Sequence, residues 1–199
     1  DNKRYSCAYD GFSLEYLNNN SFNGWTEYHL GKLYLDGKGT NKDVTKGIEL
    51  WEEAYNKTSL GRIRWLTSTN LAWNYATEIG IRNKEKAKFW ADLSLSDADS
   101  TTLNNYGVFL EEGYLLERDT SKAFEYYKMA AEKGNIIGEY NYGVILYILD
   151  DKIKSYKWLL CAAEHKYPLA VVSVQHMKED KLVSDDEIKK AKILSKNCM

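Results

Sequence analysis

The sequence predicts an all-α fold in which helix-loop-helix units stack on one another. A single proline, Pro168, occurs in 199 residues, and helix interiors exclude proline. The segment that begins at Leu30 also aligns without a gap with the segment that begins at Tyr106, 76 residues later. One helix pair cannot bury its apolar face alone, whereas four or five stacked pairs can, so the repeat predicts a solenoid.

Small residues that recur in register define the repeat. Gly31 matches Gly107, and Gly143 follows 36 residues after Gly107. A weaker copy between the first two places Ala72 in the same column. The second helices have a matching column: Ala54, Ser94, Ala130 and Ala162. Small side chains in one column predict that neighbouring helices approach closely there.

The ends of the helices have their own signals. Thr26, Leu30 and Tyr34 are spaced by four and predict one face of a first helix. Three glycines are predicted to end first helices in the left-handed conformation: Gly37, Gly80 and Gly113. Three acceptor side chains are predicted to cap second helices: Asp43, Asp119 and Ser184.

The repeat register divides the chain into an N-terminal segment and a solenoid. Residues 1–22 precede the register, and their apolar residues predict either an amphipathic cap helix or a divergent half-repeat: Phe12, Leu14, Tyr16 and Leu17. The solenoid is expected to take residues 23–199. Its units are expected at 23–58, 60–96, 99–134 and 135–166, with a degenerate pair at 167–199.

Composition and charge narrow the class of partner. Hydrophobic residues make up 44% of the chain and charged residues 28%, which permits a folded core. The formal net charge is −2, so no surplus of basic residues neutralises phosphates, and nucleic acid is excluded as the main partner. The apolar runs are far shorter than a membrane span.

No pattern of catalytic or metal-binding residues occurs in the sequence. Neither a Gly-x-Ser-x-Gly elbow nor a His-Glu-x-x-His motif is present. The three histidines, His29, His165 and His176, lie far apart in the repeat register. The sequence therefore predicts a protein that is not an enzyme, with no catalytic, cofactor-binding or metal site and no cofactor.

The cysteines and the first residue bear on the cellular compartment. Three cysteines leave at least one thiol free or bonded to another molecule. Either the cysteines are free thiols packed in the fold, or Cys161 and Cys198 form a disulfide. The chain begins at Asp1 rather than methionine, and we expect a periplasmic or otherwise exported protein, with a cytoplasmic one as the alternative.

Two segments, YHLGKLYLDGKGTNKD at 28–43 and SKAFEYYKMAAEKG at 121–134, carry a known pattern. It resembles the Sel-one-like repeat (SLR), a relative of the tetratricopeptide repeat, and the resemblance covers about residues 25–167. It implies a right-handed α/α superhelix of about four to five repeats that serves as a non-catalytic scaffold for another protein.

The resemblance also implies a functional class. Some exported bacterial SLR proteins neutralise a toxin or lipase effector delivered by type VI secretion. An immunity protein, monomeric in a one-to-one complex with a secreted effector, is therefore the first expectation. An adaptor or regulatory scaffold in envelope or host-interaction signalling is the alternative.

First-helix positions beside the core face predict the binding surface. The residue before each Leu-Gly pair or its equivalent is polar. The residue after the pair is Lys32 in the first repeat and apolar in the next three, where Trp73, Val108 and Val144 form an apolar strip with Ile148. On the concave face we therefore expect these partner-binding residues: His29, Lys32, Asn70, Trp73, Asn105, Val108, Asn141, Val144 and Ile148. Among the four residues that directly follow the small residue of each first helix, Lys32 is the one charged residue. This argues against a site that clamps the C-terminal carboxylate of a partner protein.

Overall fold

The computed structural model describes residues 2–18, 23–95, 99–114 and 117–195. These residues contain eleven helices and no strand, which confirms the all-α prediction. The helices are α1 (Asn2–Leu17), α2 (Trp25–Asp36), α3 (Val44–Lys57), α4 (Gly61–Thr77), α5 (Lys84–Ser94), α6 (Ser100–Glu112), α7 (Thr120–Glu132), α8 (Ile136–Ile148), α9 (Lys152–Glu164), α10 (Pro168–Glu179) and α11 (Asp185–Ser195).

Consecutive helices pack as antiparallel pairs, as an α-solenoid requires. The most extensive packing joins α2 with α3, α4 with α5, α6 with α7, and α8 with α9. The chain divides into two compact units, Asp1–Asp97 and Ala98–Met199. In the first unit α3 packs against α4, and in the second α7 packs against α8, so each unit stacks one pair on the next.

The predicted small-residue column of the first helices is confirmed at its three glycines as a site of close helix approach. A Cβ atom added to Gly31 would lie 2.7 Å from the ring of Trp51. One added to Gly107 would lie 2.7 Å from the ring of Tyr127, and one added to Gly143 would lie 2.9 Å from Leu159. In each pair, therefore, a large side chain of the second helix occupies the space that the glycine leaves.

Most of the predicted helix ends are confirmed. Asp43 accepts a hydrogen bond from the amide of Lys46 at 2.9 Å, and Asp119 accepts one from the amide of Lys122 at the same distance. Ser184 accepts from the amide of Glu187 at 3.3 Å while its own amide donates to the Glu187 carboxylate at 2.8 Å. This reciprocal pair is a capping box.

The glycine stops are confirmed at two positions and wrong at a third. Gly37 and Gly113 have φ angles of 63° and 67°. Gly80 does not have a positive φ, because α4 has already ended at Thr77. There the extended residue Glu78 donates its amide to the carbonyl of Asn74 and turns the chain away without a left-handed residue.

The helix α1 packs against α2 and covers the first pair. The Tyr9 and Tyr34 hydroxyls are hydrogen-bonded at 3.0 Å, and Tyr16 donates to Glu53 of α3 at 2.9 Å. Leu14 and Leu17 are exposed. Only part of the apolar residues predicted for a cap therefore face the core, and whether α1 is a cap or a half-repeat stays open.

The C-terminal pair is organised around α9. Both α10 and α11 pack against α9, and the shared core contains Tyr156, Leu159, Val174, Met177 and Val183. Cys161 in this helix is fully buried and disulfide-bonded, whereas Cys7 is free and exposed. Position 198, named in the predicted disulfide, lies outside the described residues.

Candidate protein-binding surfaces

An apolar groove is lined by side chains of α8, α9 and α10. Its cavity volume is about 320 Å³. Buried Leu159 and Met177 line its inner side. Its walls are formed mainly by aromatic and aliphatic side chains: Tyr140, Val144, Tyr147 and Val172, with His176 at one edge. We call this set the apolar groove.

Exposed apolar side chains extend the groove at the end of α8. Tyr147 is 40% exposed, Ile148 73% and Leu149 61%, and Val172 on the opposite wall is 66% exposed. The connection to α9 leaves them uncovered because it contains only Leu149, Asp150 and the capping residue Asp151. Exposed apolar surface of this kind marks sites of interaction with another molecule.

A polar cleft lies in the other unit, between the first helices of the first two pairs. Its cavity volume is about 310 Å³. Lys32 and Asp36 of α2 form one wall, and Asn70 and Asn74 of α4 form the other. Trp51 of α3 also lines it. We call this set the polar cleft.

Most polar groups of the polar cleft already have partners. Asp36 pairs with Lys38 at 2.9 Å, and Lys42 with Glu78 at 3.4 Å. Trp51 donates its indole N–H to the carbonyl of Tyr28 at 2.9 Å. These contacts fix the walls and floor, so the cleft is formed before any partner binds.

Two buried carboxylates occupy equivalent positions in the first and fourth repeats. Glu27 is fully buried and accepts a hydrogen bond from Lys57 at 2.8 Å. Glu139 is 1% exposed, and its carboxylate lies 3.1 Å from the Nδ1 atom of His165. Both acids precede the first-helix small residue by four positions, and both bases follow the second-helix alanine by three. The fold therefore uses one acid–base arrangement twice, with lysine in one repeat and histidine in the other.

The pair of Glu139 and His165 predicts a pH dependence of stability. Burial raises the pKa of Glu139 above its ordinary value of 4.5, and the nearby His165 and Lys157 partly oppose this while Glu164 adds to it. A carboxyl group whose pKa is raised by folding contributes its full stabilisation of the folded state at pH values below its ordinary pKa. This contribution is lost as the pH rises through the raised pKa. We expect Glu139→Gln to gain stability relative to the wild type as the pH rises above about 4.5, measured by urea unfolding at several pH values.

A second variant provides the control for this pH dependence. His165→Leu removes the partner that lowers the pKa of Glu139, so the loss of stability is expected to extend to higher pH than in the wild type. A difference between Glu139→Gln and the wild type that stays constant from pH 4 to 7 would contradict the prediction.

Comparison with known proteins identifies the repeat. The family model described as the Sel1 repeat matches residues 26–59, 69–96, 101–135 and 137–167, more than half of the chain. The chain belongs to the Sel1 repeat family. Sel1 repeat proteins are in general protein-interaction scaffolds and typically not catalytic, so the family supports a protein partner.

A solved structure with a high TM-score shows the same fold, and a second match is more distant. A Sel1 repeat protein from Oxalobacter formigenes has a TM-score of 0.71 and 20% identity, over 96% of this chain and 80% of that one. A protective antigen from uropathogenic Escherichia coli strains, which displays an SLR fold, has a TM-score of 0.46 and 16% identity, over 98% of this chain and 56% of that one. Comparison with curated proteins finds no match.

The structure of this Sel1 repeat chain places the predicted site residues in different environments. Lys32 and Asn70 lie together in the polar cleft, and Val144 lines the apolar groove beside exposed Ile148. Trp73 is exposed on α4. As a binding surface, the full set stays a prediction.

Other predicted residues take part in packing. His29 is half-buried between the rings of Phe12 and Trp25, and burial lowers its pKa. Val108 packs against the core of α7 and α8. Asn141 donates to the side chain of Asn104 at 3.0 Å. The half-buried Asn105 lies on the same helix as Val108.

Sequence reasoning missed several residues of both surfaces. In the polar cleft, Asn74 and Glu78 continue the line of Asn70 at intervals of four, a signal that was available in the sequence. In the apolar groove, Val172 and His176 belong to the last pair, whose weak repeat register hid their position. Only three residues, Leu149, Asp150 and Asp151, connect the two helices of the fourth repeat, and the end of α8 is exposed there.

Among the residues that the structure describes, no helix is long and apolar enough to cross a membrane. No group of three or more histidine, cysteine, aspartate and glutamate side chains in the same ranges is arranged to hold a metal ion.

Proposed function

We propose that the chain is a non-catalytic scaffold that binds one protein partner through the apolar groove and the exposed end of α8. The observation that carries this proposal is the exposure of Tyr147, Ile148 and Val172 around a preformed apolar groove. A partner that covers these side chains removes apolar surface from water, at about 25 cal/mol per Å².

The chemistry of the groove favours an apolar anchor from the partner. Tyrosine side chains provide large contact areas with few rotatable bonds, and binding energy concentrates in such residues. The buried Leu159 and Met177 give the groove a firm inner side. A partner side chain inserted between Val144 and Val172 would bury further apolar area without rearranging the core.

Within this function, we propose an immunity protein that neutralises a single secreted toxin or lipase effector by covering it. Support comes from the resemblance to exported bacterial repeat proteins and from the disulfide at Cys161, which fits an oxidising compartment such as the periplasm. The alternative is an adaptor in envelope or host-interaction signalling. A one-to-one complex of nanomolar affinity that abolishes an effector activity favours the first, and micromolar binding to several proteins favours the second.

The test compares wild-type and groove variants in the same capture experiment. In Tyr147→Ala/Ile148→Ala, loss of two exposed apolar side chains is expected to weaken the affinity for the captured partner about tenfold to thirtyfold. Quantitative mass spectrometry identifies the partner, and titration calorimetry with the purified partner gives the affinity.

The matched control is Ile193→Ala, which removes an exposed aliphatic side chain from α11 outside the groove. It is expected to bind as the wild type does. Equal weakening by the control, or unchanged binding by the groove variant with its helical content intact, would refute the groove as the binding surface. Turnover by the purified chain in a broad hydrolase screen would refute the non-catalytic assignment.

A further inference from the structure

A tight corner joins the first repeat to the second. The Oδ1 atom of Asn23 accepts a hydrogen bond from the amide of Ser59 at 2.8 Å, and its Nδ2 atom donates to the Ser59 hydroxyl at 3.2 Å. Asn23 and Gly24 directly precede α2, whereas Ser59 lies in the connection between α3 and α4. One asparagine side chain therefore ties the start of the first repeat to the entrance of the second.

The backbone conformation of this corner requires glycine directly after Asn23. Asn23 and Gly24 both have positive φ angles, 51° and 80°, and asparagine and glycine adopt such angles more readily than other residues do. Gly24 is buried, and a Cβ atom added to it would lie 2.5 Å from the carbonyl oxygen of Ala54. Any side chain at position 24 would therefore strike the end of α3.

An asparagine that is followed by glycine is chemically labile. The amide nitrogen of the following residue can attack the side-chain carbonyl carbon of asparagine and close a succinimide ring. A side chain on the following residue hinders this attack, and glycine has none. Asparagine is accordingly one of the residues that proteins of thermophiles contain less often. In this sequence Asn23 is the one asparagine that glycine follows.

We propose that Asn23 is a site of spontaneous deamidation whose rate is set by opening of this corner. The nitrogen of Gly24 loses its proton to hydroxide and forms a bond to Cγ of Asn23. The bond between Cγ and Nδ2 breaks, and Nδ2 takes a proton from water and leaves as ammonia. Water then opens the ring. Attack at Cγ gives aspartate, and attack at the main-chain carbonyl carbon gives isoaspartate.

The folded corner slows this reaction. Ring closure makes Cγ tetrahedral and expels Nδ2, so the side chain cannot keep both hydrogen bonds to Ser59 while the ring forms. Gly24 is buried, and hydroxide reaches its amide only when the corner opens locally. Because such opening is much faster than deamidation, the rate follows the population of the open form.

The two products differ in their effect on the corner. Aspartate has an oxygen in place of Nδ2, so the Ser59 amide still donates to one oxygen and the Ser59 hydroxyl can turn to donate to the other. Isoaspartate adds a methylene group to the main chain before Gly24. Since Gly24 fits closely against the carbonyl of Ala54, the added length breaks the contact with Ser59 and frees the connection between α3 and α4.

The experiment follows the full chain at mildly alkaline pH, folded in buffer and unfolded in guanidinium chloride. Peptide mass spectrometry with fragmentation locates each deamidated residue and distinguishes isoaspartate from aspartate. In the unfolded chain Asn23 is expected to deamidate faster than every other asparagine. In the folded chain its rate is expected to be lower by about tenfold or more.

Asn135 is the matched control within the same chain. Its side chain also accepts a hydrogen bond from a main-chain amide, that of Gly138 at 2.8 Å, but Ile136 follows it. It is expected to remain unmodified in the folded and the unfolded chain over the time in which Asn23 reacts, because the branched side chain of Ile136 hinders the attack.

Two variants test the role of the corner. Ser59→Ala removes the hydroxyl that accepts from Asn23, and it is expected to raise the rate in the folded chain by about twofold to tenfold while leaving the rate in the unfolded chain unchanged. Asn23→Asp reproduces the aspartate product and is expected to resist trypsin at Lys57 as the wild type does. The isolated isoaspartate form is expected to be cleaved there faster.

Each part of the inference has an outcome that would overturn it. Faster reaction of another asparagine in the unfolded chain would remove Asn23 as the site. Equal rates in the folded and unfolded chains, or a wild-type rate in Ser59→Ala, would remove control by the corner. Equal cleavage of the isoaspartate form and Asn23→Asp would remove the structural consequence. These outcomes do not bear on the apolar groove, whose residues lie on α8, α9 and α10.

Discussion

Replacing Trp51 with alanine is expected to lower the free energy of unfolding by about 3–5 kcal/mol. The Trp51 ring is buried, stacks on Tyr28 with ring centroids 5.9 Å apart, and donates its N–H to the Tyr28 carbonyl. It also occupies the space left by Gly31. Alanine would leave a cavity between α2 and α3 and remove the hydrogen bond to the Tyr28 carbonyl, and a glycine in the facing helix cannot fill the gap.

The matched control is Phe89→Ala on α5, where the ring is 56% exposed. It is expected to cost about 1 kcal/mol or less, since most of the lost contact is with water. Urea unfolding followed by circular dichroism measures both variants, with the slope of the transition checked for a change of mechanism. Similar costs for the two variants would show that Trp51 does not connect the first pair as described.

The steric features of the fold are predictable from the sequence because they recur. Gly31, Gly107 and Gly143 stand in one column, and each faces a large side chain of its partner helix. Because the same steric requirement recurs in three repeats, the glycines can be recognised by comparing the repeats within this one sequence. The capping residues Asp43 and Asp119 are predictable for a similar reason, since a cap acts within three residues of its own position.

The end of α4 and the exposure at the end of α8 are harder to predict from the sequence. Gly80 lies where a left-handed stop is expected, yet Glu78 ends the helix in an extended conformation first. Glycine permits a positive φ without requiring it. In the same way, the short connection after α8 exposes Tyr147 and Ile148 by failing to cover them, and no pattern in these residues signals it.

The register of a repeat predicts the face on which a residue lies but not how far its side chain is exposed. Lys32 and Asn70 both line the polar cleft. His29 lies two residues before Gly31 on the same helix as Lys32. The rings of Phe12 in α1 and Trp25 in α2 enclose it, because α1 lies outside the repeat and packs against α2. Val108 likewise contributes to a core. The exposure of a side chain depends on the helices that pack around it. A column of equivalent repeat positions does not show where those helices lie.

Replacing Gly107 with valine is expected to lower the free energy of unfolding by about 3 kcal/mol, the upper part of the range for an overpacked core. The added Cβ would lie 2.7 Å from two ring carbons of Tyr127. That ring is buried, and its hydroxyl donates to the carboxylate of Glu111 at 2.6 Å, so it is held at both ends. The helices α6 and α7 must separate to admit the side chain.

Gly61→Val is the matched control, because nothing lies within 4 Å of a Cβ added there. At this first position of α4 the same substitution is expected to change stability by less than about 1 kcal/mol. A double variant, Gly107→Val/Tyr127→Ala, removes the ring that the valine strikes. Its cost should be smaller than the sum of the two single costs by about 0.5–3 kcal/mol, as measured by urea unfolding. Strictly additive costs would mean that the small residue at 107 is not matched to the ring at 127, and the steric explanation of the glycine column would fail at that position.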